Sequence, residues 1–315
     1  MEMAPVLSSI LVMGVIVGIG AIIGKRLPLT ADSRKLMIML IVNVAMPCII
    51  LDGIFQLPID KALLTQIFVI FAIAILFTCI GILLGWIGAK ACKVPDKEAR
   101  QLAILSGCGN TGFIGLPLCA ALFGARGALL AAVFDAGLDF TIWTVGVMLL
   151  QEKRKLTLSG LKELVNIPMF AIAGGLLIAV LGLEPPVIVK QLTGSLAKLA
   201  SPLAMIYIGM LIPVLLHNKK RVTLPMLGLP LAMKLIVFPL VTASLLFFFT
   251  IDQELGHVTL IQTAMPTIAM ASILFARYAA DEEMGAMTTV FSTLLGLLTI
   301  PAVIVVGNMI LQHAP

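Results

Sequence analysis

Charged side chains are scarce in this 315-residue chain: Asp, Glu, Lys and Arg make up 12% of it, while 60% of its residues are hydrophobic. Soluble globular proteins carry about 25% charged and roughly 45–50% apolar residues. The stretches 62–89, 101–125, 255–276 and 284–315 contain none of these four charged residue types. Since a bilayer-spanning helix needs about 20 mostly apolar residues, the composition excludes a disordered chain and an ordinary soluble enzyme. It predicts an all-α integral membrane protein.

Residues that hold metals or carry out hydrolysis are also few. The five cysteines never occur in a CxxC spacing, the three histidines lie far apart, and the motifs HExxH, GxSxG and the P-loop are missing. The sequence therefore predicts no metal centre, no cofactor and no enzymatic activity. The net charge of +5 does not indicate nucleic-acid binding, because the basic residues sit in short connections between apolar runs.

The apolar runs predict ten membrane spans. The connections after the odd-numbered spans hold 16 Lys and Arg residues, against four in the connections after the even-numbered spans. Cytoplasmic loops are enriched in Lys and Arg, so both termini are expected outside the cytoplasm, in a plasma (inner) membrane. Trp86 and Trp143 fit anchors at the cytoplasmic interface. The predicted spans are 6–24, 36–55, 62–89, 101–124, 127–150, 167–183, 199–216, 224–250, 257–279 and 285–311.

Ten spans divide into two halves of five, residues 1–157 and 158–315. An odd number of spans per half gives the halves opposite orientations, which is the arrangement of an inverted-topology repeat. Pro117 in span four and Pro266 in span nine occupy corresponding spans of the two halves. The sequence therefore predicts a 5+5 inverted repeat.

Spans four and nine are predicted to be broken helices that cross. The segment Ser106–Pro117 holds four glycines and a proline, and each glycine or proline costs about 1 or 3 kcal/mol in a helix interior. At about 1.5 Å per residue, Asn110 lies about 14 Å past Gln101 and Pro266 a similar depth past His257, near the middle of a hydrocarbon core of about 30 Å. Paired interruptions of this kind point to the binding site of a transporter.

The converging half-helix N-termini favour an anionic substrate, because helix N-termini carry partial positive charge and free N–H groups. The alternative for a single break is a packing kink. The residues predicted to bind the substrate at the two breaks are Asn110, Thr111, Gly112, Gly115, Pro117, Thr263, Pro266 and Thr267.

Three ionisable residues lie well inside predicted spans. Asp135 and Asp139 share one face of span five, and Lys234 lies in span eight. Buried charges in membranes usually face a partner or a cavity. One aspartate is expected to lie close to Lys234, while the other takes up a proton or sodium, so that a sodium site near Asn110, Asp135 and Asp139 is possible. The alternative is a neutralised structural cluster.

The run GNTGFIGLP at 109–117 resembles the broken fourth span of the auxin efflux carrier family of transporters. Asn43 with Pro47 in span two resembles that family's Asn-x-x-x-Pro element, and Asn166-Ile-Pro168 is also similar. The resemblance implies a scaffold of spans 1, 2, 6 and 7 and a transport domain of spans 3, 4, 5, 8, 9 and 10. It also implies elevator-like alternating access, often in a homodimer, with Asn43 and Pro47 contributing to the site.

These observations together predict a secondary carrier for a small organic anion such as a mono- or dicarboxylate. Short bacterial members of the family, some of them linked to malate or malonate, lack the long cytoplasmic loop of plant members, as this chain does. One alternative is a sodium-coupled symporter of the related bile-acid type, although span nine offers Gln262 and Thr263 without a carboxylate. A second alternative is a membrane sensor that binds its ligand without moving it.

Overall fold

The computed structural model describes residues 3–27, 29–58, 60–151, 165–216, 224–248, 251–278 and 280–312. Within these ranges the chain is almost wholly helical, and its one β-bridge joins Gly109 to Thr267. The α-helices in chain order are α1 Met3–Arg26, α2 Ala31–Leu40, α3 Met46–Gln56, α4 Lys61–Ala91, α5 Asp96–Gly107, α6 Leu116–Thr141, α7 Val147–Leu150, α8 Ile167–Val180, α9 Val187–Ala197, α10 Ala200–Leu216, α11 Leu224–Ala232, α12 Phe238–Phe248, α13 Gln253–Ala264, α14 Ala271–Arg277 and α15 Glu282–Gln312.

Several helical stretches are long and apolar enough to cross a bilayer. Six such stretches occur in the described parts of the chain: Asp32–Gln56, Lys61–Ala91, Thr111–Leu150, Val187–Pro213, Met226–Phe248 and Glu282–Gly307. Ile167–Val180 is a shorter apolar helix. The prediction of an all-α membrane protein with several spans is confirmed. The count of ten spans and the inverted repeat stay predictions.

The stretch Thr111–Leu150 is 40 residues long, about twice what one crossing needs. Gly124 interrupts it with φ 64° and ψ −147°, a backbone conformation that only glycine adopts readily. A Cβ atom placed on Gly127 would lie 2.5 Å from the Cys119 carbonyl oxygen. In a straight helix residues eight apart are separated by about 12 Å, so the chain folds back at Gly124. The predicted connection at 125–126 is thus reduced to a turn centred on one glycine.

The helical segment that contains the predicted seventh span starts earlier than the sequence indicates. The span was placed at 199–216, but helix α9 begins at Val187 and only Lys198 and Leu199 separate it from α10. Because Lys190 and Lys198 make this stretch resemble a polar connection between spans, the predicted start of the seventh span at residue 199 is wrong.

Four short π-helical turns, with i to i−5 hydrogen bonding, lie within or beside the apolar helices: Ile41–Ala45, Thr111–Gly115, Ile142–Gly146 and Met233–Val237. Three of them end two residues before a proline, namely Pro47, Pro117 and Pro239. Proline has no N–H and its ring clashes with the carbonyl four residues back, so the turn before it widens. These three turns contain Asn43, Thr111 and Lys234, all of which are candidate site residues.

Helix packing brings α1 against α10, and α3 against α8 and α9. Helix α4 packs on α5 and α6, while α13 and α14 contact α15. Glycines allow close approach within the first set, since a Cβ atom on Gly24 would lie 2.8 Å from the Met210 Cα atom. Small residues at such contacts are typical of helix association in membranes.

The orientation of the chain is a testable prediction. Because Lys and Arg are concentrated in the odd-numbered connections, a reporter fused after Pro315 is expected to be active outside the cytoplasm. Paired fusions of alkaline phosphatase, active only outside, and of a fluorescent protein that folds only inside measure this directly. A fluorescent, phosphatase-inactive C-terminus would contradict both the topology and the opposite orientation of the halves.

Candidate functional site

The two interrupted segments meet through their main chains. The Asn110 N–H donates to the Pro266 carbonyl oxygen at 2.7 Å, and the Ile268 N–H donates to the Cys108 carbonyl oxygen at 3.1 Å. Gly109 and Thr267 form an antiparallel bridge between these two bonds. Backbone groups freed by a break inside a membrane must find partners within the protein, and here each break supplies partners for the other.

Hydroxyl groups support this crossing from both sides. Thr267 Oγ1 donates to the Leu105 carbonyl at 3.0 Å, and its N–H donates to Ser292 Oγ at 3.0 Å. Thr289 Oγ1 donates to the Ile268 carbonyl at 2.9 Å. Helix α15 therefore holds the second break in place, and Thr267 has a structural role at the crossing.

A glycine of the crossing lies against a buried amide of α13. A Cβ atom on Gly115 would collide with Gln262 Oε1, and Gln262 Nε2 donates to the Ala131 carbonyl at 3.0 Å. A side chain at position 115 would displace this buried amide. Gly115 and the buried Pro117 shape the restarted helix and do not line the cavity described next.

A cavity of about 200 Å³ opens beside the crossing. Its walls come from the first break, the C-terminal part of α6, the turn Ile142–Gly146, the start of α8 and the second break, together with Val42 and Met46. The predicted site residues Asn110, Thr111, Gly112, Asp135 and Asp139 all line it.

Asn110 contributes an unused hydrogen-bond donor to this cavity. Its side chain is 3% exposed, and its Oδ1 accepts from the Phe113 N–H at 3.3 Å, which caps the helix that restarts at Thr111. Its Nδ2 has no hydrogen-bond partner within the described residues. Since an unpaired buried donor costs about 1–3 kcal/mol, Asn110 is a candidate for binding an acceptor on a solute.

The two aspartates hydrogen-bond with different neighbours. Thr111 Oγ1 donates to Asp135 Oδ1, and the Asn166 side chain hydrogen-bonds Asp139. A Cβ atom on Gly112 would lie 2.8 Å from Asp135 Oδ2, so this carboxylate is next to the restarted helix. No group of three or more His, Cys, Asp and Glu residues suited to a metal ion occurs in the part of the chain that the structure describes. A sodium ion near these oxygens stays a prediction.

The expected pairing of Lys234 with an aspartate is wrong in this structure. Lys234 is 1% exposed, and its Nζ donates to the Thr263 carbonyl at 3.1 Å and lies 4.7 Å from the centre of the Phe238 ring. Among the described residues no carboxylate oxygen lies within 4.0 Å of this Nζ. Thr263 is near the C-terminal end of α13, where helices carry partial negative charge. The ammonium therefore compensates the partial negative charge of a helix end and not the charge of an aspartate.

Other predicted residues lie outside the cavity. Asn43 is exposed on the helix surface, and Val42 and Met46, which are four residues apart and share one helix face, line the cavity in its place. Pro47 itself is buried. Thr263 Oγ1 donates to the Leu260 carbonyl at 3.0 Å, and Pro266 supplies its carbonyl to the crossing. Thus Thr263, Pro266 and Thr267 build the frame, and the second break contributes Ile268, Ala269 and Met270 to the walls.

Sequence reasoning gave no site role to Trp143 or Asn166. Trp143 is buried and lines the cavity, so its predicted place as an interfacial anchor is wrong, and the Arg277 guanidinium lies 5.6 Å from its ring centre. Trp143 lies eight residues after Asp135 and four after Asp139, a spacing that places all three on one helix face. This spacing alone predicts that Trp143 shares the site with the two aspartates. Asn166 caps α8 by accepting from the Met169 N–H at 3.0 Å, and no spacing in the sequence connects it to Asp139.

A second, larger cavity of about 590 Å³ lies where α3 and α9 face the turn at Gly124. One wall carries Asp52, Lys190 and Lys198, and the other is made of small residues from Ala120 to Ala128. The cavity lies between α3 and α9 on one side and α6 on the other. Helices α3 and α6 also contact each other directly.

The sequence profile described as "Membrane transport protein" matches residues 5–304. The chain belongs to this family, the auxin efflux carrier family of transporters. The resemblance carried by residues 109–117 is confirmed. The match covers nearly the whole chain, including both breaks and every helix that lines the cavity.

Two relatives of this carrier family are archaeal. An uncharacterized transporter of Methanothermobacter thermautotrophicus is 23% identical over 264 residues, covering 83% of this chain and 85% of the relative. The uncharacterized transporter MJ1031 of Methanocaldococcus jannaschii is 26% identical over 294 residues, covering 86% and 89%. Both are described as transporters, which agrees with the family's function in membrane transport.

Proposed function

We propose that this family member is a secondary carrier for a small organic anion, such as a mono- or dicarboxylate, bound in the 200 Å³ cavity at the crossing. The observation that carries the proposal is Asn110, which lines the cavity at the start of a half-helix and has a buried Nδ2 with no hydrogen-bond partner among the described residues. The first two N–H groups of that half-helix, those of Thr111 and Gly112, precede the N–H of Phe113, which Asn110 caps, and have no intrahelical acceptor. Together they form a donor set suited to a carboxylate.

The charge in this cavity supports coupling to a cation. Asp135 and Asp139 both line it, and a substrate carboxylate beside two ionised acids would be repelled at short range. A proton or a sodium ion bound with the substrate removes this repulsion. Coupled entry of a cation and an anion is the form of transport that the site favours.

The packing of the helices supports a division into scaffold and transport parts. Helices α1, α2, α3 and α8 to α10 correspond to spans 1, 2, 6 and 7, and the other helices surround the crossing. In the proposed mechanism the second set slides against the first and carries the loaded cavity across the membrane. The larger cavity at the boundary, with its wall of small residues, leaves room for such a movement. A homodimer built through the scaffold stays a prediction.

Replacing Asn110 is expected to abolish tight binding. Asn110→Leu removes both the donor and the helix cap, and Asn110→Asp keeps a capping oxygen but removes the donor. A hydrogen bond to a charged group is worth about 1.5–3 kcal/mol, so both variants should bind the substrate roughly ten- to a hundredfold more weakly.

Binding to purified protein and thermal unfolding, measured together, separate the two roles of Asn110. Asn110→Asp should unfold at nearly the wild-type temperature, while Asn110→Leu should unfold earlier because the cap is lost. Wild-type affinity in the aspartate variant would show that Nδ2 does not contact the substrate.

Counterflow of labelled carboxylates in proteoliposomes tests the carrier function itself. Malonate and L-malate are suitable first probes, with imposed pH or sodium gradients across the membrane. Counterflow accelerated by a gradient is expected. Binding without counterflow would instead indicate a sensor, and an absolute requirement for sodium would indicate the sodium-coupled alternative.

The same assay assigns the coupling residue. Asn mimics a protonated aspartate, so either Asp135→Asn or Asp139→Asn is expected to keep substrate exchange but lose its response to the gradient. Asp52→Asn, which changes an acid at the other cavity, is the matched control and should respond as wild type does. If both cavity variants still follow the gradient, the two aspartates have a structural role only.

A further inference from the structure

The described lining residues of the cavity at the crossing carry two acidic groups, and the one buried ammonium near them, Lys234, lies behind Gly109, where a Cβ atom would be 3.0 Å from its Nζ. The excess charge beside the cavity is therefore negative. Asp135 and Asp139 are the charged residues among its described lining residues, and no Lys, Arg or His joins them there. Their hydrogen-bond partners, Thr111 and Asn166, are neutral. An anion with no positive group of its own meets an unfavourable charge in this cavity, whereas a positively charged group meets two acceptors.

A donor site lies directly beside these acceptors. Asn110 lines the same cavity, and its buried Nδ2 has no partner in the described chain. Asp135 Oδ2 would be 2.8 Å from a Cβ atom on Gly112, the second residue of the restarted helix. The place for a negative group, at the helix start, and the place for a positive group, at Asp135, are therefore only a few ångströms apart.

We infer that the substrate is a small α-amino acid, whose carboxylate binds Asn110 and the start of the helix at Thr111 while its ammonium binds Asp135. This inference rests on the proposed carrier function and names the chemical class of its solute. One aspartate is then neutralised by the substrate itself, and the other remains for a coupling cation.

The geometry favours an α-amino acid over one with separated charges. In an α-amino acid both charged groups are attached to the same carbon, which matches neighbouring donor and acceptor sites. The cavity volume of about 200 Å³ is below the roughly 300–1,000 Å³ of typical small-molecule pockets. Apolar side chains of Met46, Phe113, Leu138 and Trp143 form the remaining walls, so the amino acid should carry a small side chain.

Matched pairs of solutes test this inference on the wild-type protein. L-alanine differs from L-lactate, and L-aspartate from L-malate, in having an ammonium group where the acid has a hydroxyl group. Binding to the full-length purified chain and counterflow in proteoliposomes are measured for all four labelled probes. Within at least the smaller pair, the amino member is expected to bind roughly tenfold more tightly or better, since it adds an interaction between charged groups.

Variants then locate the preference. Asp135→Asn should bring L-alanine and L-lactate to within about threefold of each other, and Asp52→Asn should leave the preference as in wild type. Because the comparison of probes in wild-type protein needs no variant, a misfolded Asp135→Asn would not remove the test, and Asp139→Asn serves as the second variant. A preference that survives in a folded Asp135→Asn would overturn the assignment of the ammonium to Asp135, and a preference lost only in Asp139→Asn would move it to Asp139.

The outcomes also separate this inference from the proposed function. Counterflow of L-malate or L-lactate with no binding of either amino acid would overturn the inference and leave the carrier function standing. Binding of L-alanine without any counterflow would support the amino-acid site and contradict the carrier function. Absence of binding and counterflow for all four probes would count against both.

Discussion

Oxidation of a variant carrying Gly53→Cys and Ala128→Cys is expected to stop transport, and reduction is expected to restore it. Gly53 lies in α3 of the proposed scaffold, and Ala128 lies in α6 of the proposed transport part. A Cβ atom on Gly53 would be 3.8 Å from the Ala128 Cβ atom, which is the mean Cβ–Cβ separation in disulfides. A bond here ties the two parts together, so a carrier that works by sliding one against the other should lose nearly all of its transport.

The experiment needs a background free of reactive native thiols. Cys48, Cys79 and Cys92 are not fully buried, and serine replaces them in the parent protein. Each single cysteine variant is the control for the effect of the side chain, since a group at position 53 also comes within 3.0 Å of the Ala125 carbonyl oxygen. Full transport in protein that mass spectrometry shows to be cross-linked would exclude movement at this boundary while leaving the site at the crossing unaffected.

Replacing Lys234 with methionine is expected to lower both the stability of the protein and its transport. The ammonium is fully buried and donates to the Thr263 carbonyl near the end of α13. A hydrogen bond from a charged donor is worth about 1.5–3 kcal/mol, and a cation at a helix C-terminus adds up to about 2 kcal/mol. Offset by the removal of a buried charge, the net loss of unfolding free energy should be about 2 kcal/mol, with transport reduced at least about tenfold.

Lys61→Met is the matched control, because Lys61 is an exposed lysine at the first residue of α4. Thermal unfolding in detergent and counterflow in liposomes measure the two effects. If Lys234→Met were more stable than wild type and still transported, the buried ammonium would be a tolerated charge without a role at the crossing.

The breaks in the helices were accessible to sequence reasoning because backbone chemistry determines them. The glycines and proline of 106–117 cannot form a regular helix, and Pro266 has no N–H to donate. Helix rise then places both at similar depth, which the main-chain bond between Asn110 and Pro266 agrees with. The cavity-facing positions of Asp135 and Asp139 follow in the same way from their spacing of four residues.

The partners of side chains could not be obtained from depth alone. Helix rise places Asp135 about 12 Å and Lys234 about 15 Å from the ends of their predicted spans, yet the ammonium bonds to the Thr263 main-chain carbonyl. Depth fixes one coordinate, and the choice of partner depends on the rotation of each helix about its axis. The helix that contains Asn43 shows the same limit, since its rotation leaves Asn43 exposed and turns Val42 and Met46 toward the cavity.

The bonds that join the two breaks have a consequence for how such carriers diversify. They connect main-chain atoms of residues 108–110 with those of 266–268, so most of the contact does not depend on which side chains are present. Wall residues such as those at 269 and 270 can therefore change without removing these main-chain bonds. A new solute preference can therefore arise through single substitutions in the walls, because the main-chain bonds of the crossing stay in place.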